Sequence, residues 1–373
     1  MHDRAELALW TGVVVGAGGI SMALVSPVWG LVADRVGRKA MLVRSVASGS
    51  IVLALQASLA SVWQLVGVRV LQGSLTGTQT AGAMLIASIA PPERTGFALG
   101  LLNTAVQVGN LIGPVLGGIV VVAIGLRSSF LVGAAMLAVC AVATILYVQD
   151  APRPRRDQLP SGLRGNVRGV FAPFTWPGLR GVLVVGGAVQ IAYSGTAAVV
   201  AIYLQDLARP AWLTTELAVG LSLALGALAA AVAMPVLGSY ADRGQPRTLL
   251  IGSLGLVAVS LVPQVIVPNA LVFLLFRVPV GVGLAGATSA IAVLTRRGVA
   301  AGAEGRAFGS LAAAQNLGWG MGPLLGSLLA AAAGIPALYV AGAIALLVLS
   351  AVAAASPTWF AGVEAPELAS PSS

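Results

Sequence analysis

The chain has 373 residues, 58% of them hydrophobic and only 9% charged, with a formal net charge of +9 and a mean hydropathy of +0.95. That apolar share exceeds what soluble domains carry, and the basic residues sit between apolar runs, so neither a soluble fold nor a nucleic-acid binder fits. One cysteine, Cys140, and one histidine, His2, rule out a disulfide framework and offer no metal site.

Apolar runs long enough to cross a bilayer recur from end to end. In chain order they predict spans at 8–32, 41–62, 65–90, 97–123, 128–148, 181–205, 214–240, 248–268, 270–295, 303–331 and 334–355. Strict polar–apolar alternation is absent, so the spans are helices and not barrel strands. The 47 glycines suit close helix–helix contact in lipid. Between the fifth and sixth spans, residues 149–180 form the one long polar interval, rich in Pro, Gly and Arg, and read as a cytoplasmic linker between two bundles, 1–148 and 181–355. Residues 356–373 read as a disordered tail.

Basic residues fix an orientation. Sixteen of the 21 lie in loops on one side and three (Arg4, Arg127, Arg209) on the other, while Arg69 and Arg277 lie within spans. The crowded side is the cytoplasmic one, which places the C-terminus inside. No cleavable signal peptide is visible.

The chain repeats itself at an offset of 208 residues. Pro27-Val28, Gly30, Ala33-Asp34-Arg35 and Leu42 recur as Pro235-Val236, Gly238, Ala241-Asp242-Arg243 and Leu250. A fixed-period match at half the chain length marks a duplicated architecture, which in so apolar a chain points to a secondary transporter. The halves are unequal, with five spans before the linker and six after. Ala5-Glu6-Leu7-Ala8 echoes Thr215-Glu216-Leu217-Ala218, which precedes the second span of the later half, so residues 181–205 have no upstream counterpart. The expectation is a missing first helix, with an in-frame apolar segment of about 20 residues just upstream in the gene. The alternative is a natural eleven-span protein whose N-terminus lies outside.

Three motifs carry candidate chemistry. The first is G-L-V-A-D-R-V-G-R-K over residues 30–39, with Gly30, Asp34, Arg35, Gly37, Arg38 and Lys39 in one tight loop and a degraded copy at Asp242 and Arg243. The second is Arg69, Gln72 and Gly73 inside an apolar span, echoed by Arg277 and Gly281. Arginine in a membrane either faces the protein interior or snorkels to the interface, and both are open here. The third is G-N-L-I-G-P-V-L-G-G, comprising Gly109, Gly113, Pro114, Gly117 and Gly118, with Gly322 and Pro323 in its echo. Proline removes a helix hydrogen bond and bends the span, and the glycines leave a smooth face for a neighbouring helix.

Taken together and in order, these motifs resemble the signatures of the major facilitator superfamily over about residues 1–355, and the third resembles the fifth-helix motif of its twelve-helix drug:proton antiporters. The resemblance implies an all-α polytopic fold of two pseudo-symmetric bundles, with eleven spans present. It implies that Asp34 latches the halves by meeting the start of the span at 303–331, gaining from the helix dipole. It also implies that Arg69, Gln72 and Gly73 take part in proton coupling, and that the third motif marks export. A central cavity would be lined by some of Gln107, Asn110, Gln190, Tyr193, Gln315, Asn316 and Trp319. Thr76, Gln79, Asn103 and Ser194 are further polar candidates. Any one of them serves equally as an interhelical hydrogen bond.

All twelve Asp and Glu residues lie in loops, in the tail or near span ends. The mid-membrane carboxylate that proton coupling ordinarily uses is therefore not in this sequence. The expected function is export of small amphipathic or lipophilic compounds by alternating access against protons, from a bacterial cytoplasmic membrane, by a monomer without cofactor. Proton-coupled uptake of a sugar or metabolite is the rival, though it would need a denser polar lining. A membrane-embedded enzyme would need a His, Cys, Asp or Glu cluster at membrane depth, which leaves a non-transporting scaffold as the alternative of another class. No P-loop points to ATP.

Overall fold

The computed structural model describes residues 4–89, 95–149, 176, 179–299 and 304–356. Twelve α-helices lie among them: α1 Arg4–Val36, α2 Arg38–Gln56, α3 Val62–Leu75, α4 Thr78–Ile89, α5 Thr95–Ile124, α6 Leu126–Tyr147, α7 Arg180–Asp206, α8 Thr215–Arg243, α9 Pro246–Leu261, α10 Ala270–Arg297, α11 Glu304–Ala333 and α12 Ile335–Ala355. No strand occurs among the described residues. Seven helices are long and apolar enough to cross a membrane on composition alone. The linker core at 150–175 and the tail at 357–373 lie outside the described residues.

Local chemistry sets the ends. Ser61 and Gln64 form a capping box at the start of α3, Thr214 caps α8 through Leu217 N, and Asn269 caps α10 through Val272 N. Gly125 and Gly334, with φ of 85° and 87°, turn the chain between α5 and α6 and between α11 and α12. The two ends of the molecule are named below by Gly125 and by Gly37, the residue that separates α1 from α2.

One expected span is interrupted. The run at 65–90 is two helices, because Gly77 adopts φ 125°, a conformation that breaks the ladder after Leu75. The carbonyls freed there accept from side chains of α1 and α2. Trp29 Nε1 donates to Ser74 O, Arg44 to Leu75 O at 2.8 Å and Ser48 Oγ to Leu75 O at 3.1 Å. Arg44 also stands 3.5 Å above the Trp29 ring centroid. With α3 and α4 taken as one broken run, the described helices correspond to the eleven apolar runs.

Packing inside each half follows the repeat. α1 packs on α3 as α8 packs on α10. At each crossing two glycines meet: Gly73 lies against the Gly18 carbonyl, and Gly281 lies against the Gly226 carbonyl. A Cβ at Gly73 or Gly281 would run into that backbone, which no rotamer change relieves. The loop cations repeat as well. Lys39 Nζ donates to Ile145 O at 2.8 Å, and Arg247 donates to Ala353 O at 2.7 Å, each clipping the helix after the loop to the last turn of its bundle's final helix. A cation there also meets the negative end of a helix dipole. Gly281→Ala and Gly73→Ala are expected to destabilise the protein by about 1–3 kcal/mol each. Gly252→Ala, which faces open space, should be neutral or slightly stabilising; thermal melting in detergent, followed by tryptophan fluorescence, measures all three.

Candidate functional site

The two halves touch along two seams, α1 with α11 and α5 with α8. Both seams are built on the third motif. In one, Gly12 lies against the Pro323 carbonyl and Ser327, Gly16 against Gly320 O and Leu324, and Gly19 against Gly320. In the other, Gly220 lies against the Pro114 carbonyl, and Gly118 against the carbonyl of Glu216. Gly12 and Gly220 stand at the repeat offset, so each half sets a glycine on the proline carbonyl of the other. Counted from the Gly125 end, these contacts run as far as the middle of α1 at Gly19 and of α11 at Gly320. Lower on α5, Gly109 and Gly113 face open space, as does Gly117 beside the seam. The halves are thus sealed backbone to backbone at the Gly125 end.

On the α7–α11 face the expected cavity residues come together. Tyr193 and Trp319 meet edge to face with ring centroids 6.1 Å apart. Gln190 packs on Gly318, and Ser194 Oγ donates to the carbonyls of Gln190 at 2.8 Å and Gly318 at 3.1 Å. Gln315 approaches Gly186, with Asn316 next to it on α11 and likewise half-buried. Asn110 lies on α5 and is exposed; α5 contacts α4, α6 and α8 but neither α7 nor α11, so Asn110 stands across from this cluster and not in it. The side chains of Gln107 and Asn103 lie outside the described residues. Thr76 Oγ1 donates back to Gln72 O at 2.6 Å, and Gln79 is exposed at the start of α4.

Asp34 and Arg35 fall in the last turn of α1, but their side chains, with Gly30 and the first residues of α11, lie outside the described residues. The neighbouring cations engage their own half: Arg38 donates to Met84 O at 3.2 Å and Lys39 to Ile145 as above. Gly37 supplies the turn, with φ 110°. In the second copy Asp242 pairs with Arg296 at 3.0 Å, both more than half exposed. Arg297 donates to Asp242 O at 2.9 Å, so this aspartate ties α8 to α10 within one half. An exposed pair of this kind contributes at most about 1 kcal/mol. Arg243 is exposed at the end of α8.

Arg69 sits inside the first half, donating to Gln72 Oε1 at 2.9 Å. That oxygen also accepts from Gln56 Nε2 at 3.2 Å. No carboxylate joins this group among the described residues. The sequence pointed to Arg69, Gln72 and Gly73 but passed over Gln56, as it passed over Gly12 and Gly220. Gln56 and Gln264 stand at the repeat offset, and so do Gly12 and Gly220; that spacing was the available signal.

The seam assignment is testable by distance. With Cys140 replaced by serine and spin labels at Leu126 and Trp212, which are 60% and 63% exposed, Gly220→Ala should add a longer inter-label distance, and Gly12→Ala should act in the same direction. Gly109→Ala should leave the distribution unchanged.

The sequence model of the Major Facilitator Superfamily matches residues 5–209 and again residues 182–372. The chain is 32% identical over 348 residues to the multidrug resistance protein MdtG of Proteus mirabilis, covering 91% of this chain and 83% of the relative. It is 32% identical over 350 residues to the protein of the same name in Yersinia enterocolitica, covering 93% and 83%. Among solved structures it is similar to a single-site mutant of the nucleoside transporter NupG, with a TM-score of 0.75 at 12% identity over 93% of this chain and 90% of that one. It is also similar to the human organic anion transporter MFSD10, with a TM-score of 0.69 at 17% identity over 92% and 83%. At such identities the structural likeness speaks for the fold.

Proposed function

Because the chain belongs to the Major Facilitator Superfamily, we propose that it is a multidrug exporter that works by alternating access, driven by protons moving inward. The observation that carries this is the pair of symmetry-related seams, each a glycine on a proline carbonyl, that join the halves toward the Gly125 end. Contacts of that kind are van der Waals and Cα–H to carbonyl, individually weak, so they can separate and re-form as the halves rock. The relatives' name, multidrug resistance protein, supplies the substrate class, and the Tyr193–Trp319 pair among the amides Gln190, Gln315 and Asn316 suits amphipathic compounds.

The basic-residue bias puts the Gly37 end in the cytoplasm of a bacterial inner membrane, with the C-terminus on the same side. The sealed end is then the outer one, and this conformation is the one that loads substrate from within. Asp34 serves as the latch of the opposite state, meeting the start of α11 when the inner end closes. Arg69, half-buried and held by Gln72, whose oxygen Gln56 also engages, belongs to the coupling machinery as the first half's intramembrane cation, and Tyr193 with Trp319 forms the aromatic wall on which substrate stacks. The two halves are residues 1–148 and 181–355, and the protein acts as a monomer.

Reconstituted into liposomes, the protein should move ethidium against its gradient when a proton gradient of the right sign is imposed, and a protonophore should abolish the movement. Asp34→Asn should slow transport at least tenfold while leaving the melting temperature within about 2 °C. Sugar-dependent proton uptake in the same vesicles would replace this reading with import, and full activity of Asp34→Asn would remove the latch.

A further inference from the structure

Arg277 is a fully buried side chain, 1% exposed, two turns into α10. Its Nε donates to the Ser222 carbonyl at 3.4 Å, and its Nη1 has no partner. No carboxylate pairs with it among the described residues. Two more polar groups beside it are also unpartnered and buried: the hydroxyl of Ser222 itself, 0% exposed, and the hydroxyl of Tyr339, 1% exposed. The Tyr339 ring packs on Phe273, one turn before Arg277 on α10, with ring centroids 6.5 Å apart. The third neighbour in this cluster, Tyr203, has its ring 5.9 Å from that of Tyr339, but its hydroxyl donates to Gln264 O at 2.8 Å and is not available.

The repeat explains how these donors came to lack acceptors. Arg69, the first-half counterpart, finds a neutral acceptor in Gln72 three residues on. At the same spacing Arg277 has Val280, a hydrocarbon. Arginine does not lose its proton in proteins, so the charge stays. An uncompensated ion in such an interior is strongly unfavourable even after the surroundings relax. A water molecule would occupy one donor and leave the charge. A small anion meets both needs, because every free group at this point can donate a hydrogen bond.

We propose that Arg277, Ser222 and Tyr339 hold a small monovalent inorganic anion of the chloride class, as a resident counter-ion inside the second half. All three side chains are 0–1% exposed, which excludes organic carboxylates of substrate size. They come from α8, α10 and α12, with Ser222 two residues beyond the seam glycine Gly220. The ion lets the second half carry a buried cation without a carboxylate, and it is independent of what the protein transports.

The test uses the full chain in nanodiscs prepared in chloride, in bromide or in gluconate at equal ionic strength. Melting should be higher by about 2–4 °C in chloride and bromide than in gluconate, saturating with halide concentration. Arg277→Met, which removes the charge and keeps an apolar side chain, should melt alike in all three. Tyr339→Phe and Ser222→Ala should keep the response with the half-saturating halide raised three- to tenfold, and a bromide crystal should show an anomalous peak beside Arg277. Equal melting of the unaltered chain in halide and gluconate means water only and overturns the site, and a halide response persisting in Arg277→Met means an adventitious ion elsewhere and overturns it too. Should Arg277→Met fail to fold, an unchanged half-saturation in Tyr339→Phe overturns the proposal.

Discussion

The architecture depends on backbone meeting backbone. Inside a bilayer, lipid tails are as apolar as leucine, so burying hydrocarbon does not bring two helices together as it does in water. What remains is close packing, which requires that nothing project from the contact. Gly18 with Gly73 and Gly226 with Gly281 do this within each half, and Gly12 on Pro323 with Gly220 on Pro114 do it between the halves. The same device therefore serves both a permanent joint and a separable one. The difference lies in what surrounds it. The intra-half crossings lie inside one bundle, whereas the seams run between the bundles.

Proline gives the seam its position. Pro114 and Pro323 lie inside α5 and α11, where a missing N–H and the ring's bulk bend a helix and fix where its neighbour can approach. A glycine on the opposing helix can then settle on the proline carbonyl. Because the motif and its glycine partner are both duplicated at nearly the same offset, the two seams are built alike. A motif that in isolation resembles ordinary tight packing thus becomes, through its symmetry, the boundary between moving parts.

The sequence made the span count, the repeat and the three motifs legible, because each depends on local composition or spacing. Most helix ends came out within a few residues for the same reason, but α2 and α9 stop at Gln56 and Leu261, where the apolar runs predict 62 and 268. It did not disclose the interruption at Gly77: an isolated glycine in an apolar run is compatible with a continuous helix, and only Trp29, Arg44 and Ser48, far apart in the chain, make the broken form stable by filling the freed carbonyls. Nor did it disclose that Lys39 and Arg247 clip their own bundles, since the acceptors are main-chain oxygens of Ile145 and Ala353, which leave no mark in the residue types. Gly12 and Gly220 were hidden among 47 glycines, and only the repeat offset, applied position by position, would have picked them out.

The two halves have diverged most where charge is buried. In the first, Gln72 Oε1 accepts from Arg69 and is itself held by Gln56, whereas in the second the same helix position holds Arg277 beside Phe273, with a main-chain carbonyl as its acceptor. A duplication that keeps the cation and discards its acceptor would be unstable unless something replaced the acceptor, since breaking a buried charge's contacts costs more than a well-packed apolar pair in its place. Retention of Arg277 therefore argues that the second half gains from a fixed positive charge between α8 and α10. On the roles proposed above, proton coupling at Arg69 and a fixed cation at Arg277 give the two bundles different work while they share one scaffold.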